Sequence, residues 1–317
     1  MTIGLDLGSH QFRSIRKVGD KLVARCCPAV FTALTDSPAH RRLLQQSNTQ
    51  FATCSSGQLL VFGEAAQEWS AMLNQTLTPL IRGGRIPASD PISRQILALM
   101  IDAILPAAST PAEICRMTLP GGQSGRSEDR DAEFFQHLVS LRGYQPVSMT
   151  ATQALALAEL QDAYFTGIVI TLGHTTCEFG ITHLGREIVR CVVMTGLSTF
   201  DELPRLGAND LPPEITISSD TVQRDYFRFF TDLITEAKTQ FELDGTLKTL
   251  PKPMAVICAG GITTATTFLP LFQRAWDEAK WPIATRTIRV VSEPNLAIVR
   301  GCFIQGELDQ PVERQAA

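Results

Sequence analysis

Two glycine-bearing hairpins constrain the fold of this chain more than any other feature: IGLDLGSHQFRSIR near its start and TGIVITLGHTTCEFGI in its second half. Each has an apolar strand, a tight turn of glycine and hydroxyl residues, and a second strand of alternating polarity. After each hairpin the pattern continues as strand, helix, strand and helix. This repetition predicts a duplicated α/β protein with two lobes, each a mixed sheet covered by helices.

The residue types in the two turns also suggest a ligand. Small residues let backbone N–H groups approach phosphate oxygens, and the hydroxyl groups add hydrogen-bond donors. If each lobe directs its turn into a shared cleft, the two turns would bind the same phosphates from opposite sides. The sequence therefore predicts a nucleotide cleft between the lobes.

Composition excludes several other classes of protein. The 317 residues are enough for two domains, and 44% hydrophobic and 19% charged residues are globular values. A net charge of -4 disfavours sequence-independent binding of nucleic acid. There is no run of 18 apolar residues, so no transmembrane helix is expected, although a peripheral membrane contact stays open.

The cysteines and the first residues of the chain favour a cytoplasmic location. The eight cysteines form no CxxC pair, and most lie in apolar runs, so we expect reduced, buried thiols and no zinc site. Strand sequence begins within three residues, from which no signal peptide is expected.

Changes in pattern along the chain predict its domains. Residues 1–150 form the first lobe, with a small inserted subdomain at about 32–78, and residues 151–317 form the second lobe. Within the second lobe, about 197–220 is mostly loop-like sequence, LSTFDELPRLGANDLPPEITISSD.

Five segments in order resemble the actin-like ATPase superfamily, which includes actin, MreB, ParM, chaperone ATPases and sugar kinases. IGLDLGS and ITLGHTT resemble its two phosphate loops, VICAGGITT resembles its adenosine loop, and ATQALALAEL and EPNLAIVRG resemble its two connecting helices. The resemblance covers nearly the whole chain. It implies an α/β, two-lobed actin-like ATPase fold of duplicated ribonuclease-H-like domains, with residues 197–220 as a reduced form of the second lobe's small subdomain.

Within the superfamily the chain is most similar to bacterial actin-like proteins. VFGEAAQ and PLIRGGRIPASD resemble the segments that leave the small subdomain of the first lobe in actin and MreB, a pairing that sugar kinases lack. The resemblance implies ATP or ADP with Mg as cofactors. It also implies self-association into filaments, or a role as a cytoskeletal scaffold.

The resemblance assigns roles to four residues of the first hairpin. Asp6 would organise the water shell of Mg and take part in catalysis, while Gly8 and Ser9 would form the phosphate turn. Arg13 matches a phosphate-contacting lysine of actin. The residues themselves also allow a turn-capping Asp6 and a surface ion pair for Arg13.

The second phosphate loop departs from the family pattern. Gly173, Thr175 and Thr176 would still bind phosphate, but Thr171 stands where the family has aspartate and supplies no negative charge for the metal shell. His174 replaces a glycine, where a side chain would crowd the γ-phosphate or shift the turn.

The resemblance extends to the remaining site residues. Gln153 matches the glutamine that orients the attacking water in actin; a glutamine on a solvent-exposed helix face is the alternative. The adenosine would be bound at the turn of VICAGGITT, by Gly260, Gly261 and Thr263, and on the long helix, by Glu236. For the two glycines, a strand-to-helix turn that needs glycine for its geometry alone is the alternative. For Glu236 and its neighbour Lys238, an ordinary exposed helix face is the favoured alternative.

These features predict an ATP-binding, self-associating protein with slow or impaired hydrolysis. Two alternatives remain: a non-hydrolysing adaptor of the same fold, which Thr171 and His174 favour, and a small-molecule kinase, for which the sequence offers no clear catalytic base. The sequence does not discriminate ATP from GTP.

Overall fold

The computed structural model describes residues 2–88, 90–110, 113–122, 129–200, 220–243, 250 and 252–310. These residues form fourteen strands and eight α-helices. The strands in chain order are β1 (Ile3–Leu7), β2 (Gln11–Val18), β3 (Lys21–Pro28), β4 (Val30–Thr35), β5 (Phe51–Thr53), β6 (Gln58–Phe62), β7 (Thr78–Pro79), β8 (Glu113–Thr118), β9 (Tyr144–Ser148), β10 (Gly167–Leu172), β11 (Cys177–His183), β12 (Arg186–Val193), β13 (Met254–Ala259) and β14 (Thr285–Val290). The helices are α1 (Pro38–Gln46), α2 (Glu64–Leu73), α3 (Pro91–Ile104), α4 (Arg130–Leu141), α5 (Ala151–Glu159), α6 (Asp220–Glu242), α7 (Phe268–Ala279) and α8 (Ala297–Asp309).

Two five-stranded sheets share one topology. Their strand orders are β3-β2-β1-β8-β9 and β12-β11-β10-β13-β14. In each, an antiparallel hairpin supplies the first strands and parallel strands complete the sheet. The central strands β1 and β10 are buried along their whole length, as expected for continuous apolar runs covered on both faces. The predicted duplicated, two-lobed α/β fold is confirmed.

A smaller four-stranded sheet, β5-β6-β4-β7, lies between β3 and α3 in the chain. One of its faces packs into the core of the first sheet through Phe31 and Phe62, and the other packs against α1 and α2 through Leu59 and Trp69. It occupies the range in which the sequence predicts an inserted subdomain. The domain boundaries themselves stay predictions, and residues 201–219 of the predicted reduced subdomain lie outside the described residues.

Helices α5 and α8 each follow one sheet in the chain and pack on the other. Helix α5 follows β9 of the first sheet but lies on β10 and β11, whereas α8 follows β14 of the second sheet but lies on β1 and β8. The two helices cross at Gly301, where a Cβ would overlap the carbonyl oxygen of Ala154. The same helix lies directly on β1, since a Cβ on Gly4 would come 2.5 Å from the Val299 carbonyl oxygen.

Most of the cysteines are buried, as the sequence predicts. All eight cysteines are free; six are buried, Cys27 is half-buried, and Cys26 is exposed on the edge strand β3. Across the described parts of the chain, no helix combines the length and hydrophobicity needed to cross a membrane.

The helix crossing predicts a large stability cost for one added methyl group. Gly301→Ala should lower the free energy of unfolding by about 3 kcal/mol, because backbone atoms of α5 have no room to move away. Thermal denaturation measures the effect, with Gly261→Ala as the control, since a Cβ there meets nothing within 4 Å. Equal melting temperatures for the two variants would contradict the close crossing.

Candidate functional site

The chain topology collects loops at one edge of each large sheet. Strand β1 runs parallel to β8, and β8 runs parallel to β9, so their carboxyl ends lie at one edge. The second sheet repeats this arrangement with β10, β13 and β14. The turn of the first hairpin therefore lies beside the end of β8, and the turn of the second lies beside the end of β13.

The two hairpin turns meet. The hydroxyl oxygens of Ser9 and the buried Thr175 are 2.6 Å apart and share a hydrogen bond. Next to this bond, the rings of His10 and His174 have centroids 5.2 Å apart and planes inclined by 47°. The structure thus brings two glycine–hydroxyl turns from the two sheets into direct contact.

Asp6 lies at the end of β1 with both carboxylate oxygens already engaged. It is buried; Thr118 donates a hydrogen bond of 2.7 Å to Oδ1, and Arg13 donates one of 3.1 Å to Oδ2. Arg13 is the residue opposite Asp6 in the β1–β2 ladder, so the hairpin register creates this ion pair. Gly8 follows at the turn, where a Cβ would lie 2.9 Å from the Gln11 carbonyl oxygen.

The second turn is held from both sides. The Gly173 amide donates to the carbonyl of the buried Thr176 (3.0 Å), and the Ser198 amide donates to the His174 carbonyl (2.7 Å). A Cβ on Gly173 would approach the Thr176 carbonyl oxygen to 2.5 Å, so this position requires glycine. The loop is thereby fixed against the short helical turn at Leu197–Phe200.

Glu178 is a buried carboxylate beside this turn, and the sequence alone does not identify it as a site residue. Glu178 pairs with Thr171 across the β10–β11 ladder, so the two side chains share one face of the sheet. Burial raises the pKa of Glu178, and the Arg190 guanidinium, 3.2 Å away, opposes that rise. The negative charge of Glu187 and, to a smaller extent, that of Asp6 add to the rise of this pKa. The length of the turn could have revealed Glu178 from the sequence. With four residues between the strands, Leu172 pairs with Cys177, and Glu178 then pairs with Thr171.

Loops of the first lobe close over Glu178. A Cβ on Gly122 would lie 3.2 Å from its Oε1 atom and 2.9 Å from a methyl group of Val192. A Cβ on Gly84, in the loop before α3, would lie 2.5 Å from the Gly121 Cα atom of the same lobe and 3.6 Å from a methyl group of Thr176. Gly122 therefore packs directly on strands β11 and β12 of the second lobe, and Gly84 lies close to the second turn.

Gln153 lies in the first turn of α5 and is half-buried. The N-cap Thr150 accepts a hydrogen bond from the Gln153 amide, and its hydroxyl donates to Glu187 of β12. The Met149 amide, just before the helix, donates to the Met117 carbonyl at 2.9 Å. These bonds fix the start of α5 between the two sheets, near the end of β8.

The loop that resembles the adenosine loop follows β13 and lies against the end of β10. Gly260 has a positive φ of 129°, and a Cβ there would overlap the Leu172 carbonyl oxygen. A Cβ on Gly261 would meet nothing within 4 Å, so this face of the loop is open. The Thr263 hydroxyl donates to the Gly260 carbonyl at 2.7 Å, which stabilises the turn.

The charged residues predicted on the long helix have other neighbours. Glu236 is exposed on α6, near Cys191 of β12, whose pKa burial raises to about 11 with a further contribution from Glu236. Lys238 donates to the Ala279 carbonyl at the end of α7 at 3.0 Å, which leaves this ammonium engaged in helix packing.

The metal-ligating groups of the described residues do not form a dense site. Among those residues, no group of three or more His, Cys, Asp or Glu side chains is arranged to hold a metal ion. A cation near Asp6 and Glu178 would therefore keep most of its ligands as water or phosphate oxygens, which is how magnesium is commonly held.

Solved structures share this architecture over almost their whole length. The MamK double helical filament aligns over 98% of this chain and 99% of that chain, at 12% identity and a TM-score of 0.63. MreB5 of Spiroplasma citri bound to ADP aligns over 97% and 96%, at 14% identity and a TM-score of 0.63. A non-polymerising mutant of MamK bound to AMPPNP aligns over 96% and 98%, at 11% identity and a TM-score of 0.54.

At these identities the similarity establishes the fold, which is that of the actin-like ATPases. No curated protein matches the sequence at a significant level. The Volactin family profile matches residues 1–204, about two thirds of the chain, which includes all five strands of the first large sheet and the second glycine turn. The chain is therefore a member of the Volactin family with a two-lobed actin-like fold.

Proposed function

We propose that this protein binds ATP or ADP between its lobes and self-associates into filaments. One observation carries the proposal: the Ser9 and Thr175 hydroxyls, from turns in different sheets, are in contact at 2.6 Å. Each turn combines glycine, hydroxyl groups and backbone N–H groups, which together suit phosphate oxygens. A polyphosphate that replaced this hydrogen bond, with the two hydroxyls moving apart to donate to its oxygens, would contact both lobes at once.

The loop geometry suggests an orientation for the nucleotide. The phosphates would lie between Gly8 and Ser9 on one side and the turn of Gly173–Thr176 on the other. The adenosine would pack on the open face of Gly261. The solved structures of this fold with ADP or AMPPNP bound support a nucleotide as the ligand.

Asp6 and Glu178 are the carboxylates that fit a magnesium ion on these phosphates. Thr118 and Arg13 occupy both oxygens of Asp6, so this residue would act through water molecules. Glu178 supplies, from the neighbouring strand, the charge that Thr171 lacks. Magnesium, when bound, would neutralise charge on the phosphates.

Slow hydrolysis follows from the same residues. Phosphoryl transfer needs an aligned water molecule and neutralised charge, and Gln153 in the first turn of α5 would align the water. Arg13 and Arg190 already pair with the two carboxylates, which weakens the attraction of either carboxylate for a metal ion. ATP binding would therefore be retained while turnover is slow.

Filament formation is the proposed output of nucleotide binding. The similarity to a MamK chain solved as a double helical filament supports it. A head-to-tail contact between copies propagates when its rotation does not close. Because the nucleotide would contact both lobes, its phosphate number would bias lobe closure and hence the contacts between copies.

Removal of the turn hydroxyls tests nucleotide binding. Ser9→Ala and Thr175→Ala should each weaken ATP and ADP binding about tenfold, because each removes a hydrogen bond to a charged phosphate. Calorimetric titration measures the affinities, and Ser140→Ala on the exposed side of α4 is the matched control. Wild-type protein that gives neither heat nor a thermal shift with ATP and magnesium would leave only the adaptor function.

Hydrolysis should depend on Gln153 and Glu178. Gln153→Ala should lower phosphate release by about tenfold or more while ATP affinity stays within about twofold, since the side chain acts on the water molecule. Glu178→Gln, which keeps the size of the side chain, should lower the rate of phosphate release. It should also reduce the increase in that rate when magnesium is added. Gln145→Ala, at an exposed position of β9, is the control. ADP production that rises only with an added sugar or carboxylic acid would indicate a small-molecule kinase instead.

Assembly should depend on the nucleotide. In sedimentation experiments, the wild-type protein should pellet with ATP or AMPPNP and pellet less without nucleotide. Negative-stain microscopy of the pellet should show filaments. A protein that binds ATP but stays in the supernatant at every concentration and salt condition would contradict self-association while leaving nucleotide binding intact.

A further inference from the structure

Two histidines to which the proposed function gives no role lie side by side where the two hairpin turns meet. His10 follows Ser9 in the first turn, and His174 precedes Thr175 in the second. Their ring centroids are 5.2 Å apart, beside the hydroxyl–hydroxyl hydrogen bond. Each lobe therefore contributes one imidazole to the point where the two turns meet.

The surroundings of these rings suit an anionic ligand. His10 is exposed and His174 is half-buried, so the pair borders the open part of the cleft. The backbone of His174 is fixed, because its carbonyl accepts from the Ser198 amide and lies 2.5 Å from where Gly196 would carry a Cβ. An imidazole offers an N–H donor when neutral and two donors with a positive charge when protonated.

The charges of the neighbouring ion pairs explain why a bound phosphate would need further hydrogen-bond donors. Asp6 pairs with Arg13, and Glu178 pairs with Arg190, so both guanidinium groups are already held by carboxylates. A triphosphate with one bound magnesium ion still carries negative charge, which neither pair offsets. The two imidazoles are the titratable side chains that the hairpin turns themselves present at this position.

We propose that His10 and His174 form a two-imidazole clamp on the terminal phosphate of a bound nucleoside triphosphate. The proposal rests on the proposed nucleotide site. Rings this close together can each donate to a different oxygen of one phosphate group. Because the donors come from both lobes, a terminal phosphate would draw the lobes together, and a diphosphate, which lacks that group, would do so less.

The sequence alone predicts the opposite effect for His174, which is to crowd the γ-phosphate. The two hypotheses predict opposite changes in ATP affinity for the variant His174→Gly. If the side chain crowds the phosphate, His174→Gly strengthens ATP binding; if it donates a hydrogen bond, the same change weakens it.

Calorimetric titration of the full chain with ATP and with ADP separates these outcomes. His10→Asn, His174→Asn and His174→Gly should each weaken ATP binding about tenfold, the usual effect of one lost hydrogen bond to a charged group. ADP binding should change less than about twofold. His137→Asn, on the exposed face of α4, is the matched control and should change neither affinity.

Nuclear magnetic resonance of the imidazoles in the wild-type protein gives a second test, whose result does not depend on whether the variants fold. The Cε1–H resonances of His10 and His174 should shift more with ATP than with ADP, while that of His137 stays unchanged. Unchanged or equal shifts overturn the clamp, as do equal losses of ATP and ADP affinity or tighter ATP binding by His174→Gly. A wild-type protein that binds neither nucleotide would overturn the proposed function, and the clamp with it.

Discussion

The close crossing of α5 and α8 holds the two lobes in their mutual orientation. Each helix is continuous in sequence with one sheet and packed on the other, so the lobes are joined twice and in opposite directions. The helices approach so closely at Gly301 that the backbone of α5 fills the space of a side chain. Because folded cores resist small deformations, this contact sets where the edges of the two sheets face each other.

The cleft is a consequence of that orientation. Within each sheet, parallel strands bring loop residues to one edge, and the crossing helices turn the two edges toward each other. The contact between Ser9 and Thr175 shows how close they come. Gly122 lets its loop pack directly on Val192 and Glu178 of the opposite lobe, where a side chain would not fit.

The sequence predicted the fold well because its strongest signals are local. Apolar runs such as GIVITL mark central strands, and glycine turns after them mark the hairpins. The site was harder to predict because its chemistry depends on pairing. The partner of Arg13 follows from the β1–β2 register, and the place of Glu178 from the length of a turn. The contact of Lys238 with the end of α7 depends on helix packing, which no local pattern reveals.

The two ion pairs of the cleft have a consequence for selectivity among anions. Asp6 pairs with Arg13 and Glu178 pairs with Arg190, and Glu187 shares Arg190 at 3.8 Å, so the lining that these groups form carries no excess of positive charge. Such a lining has little long-range attraction for anions in general, so inorganic salts gain little by entering. Discrimination then depends on short-range geometry at the turns, where only a ligand of the right length meets donors from both sides.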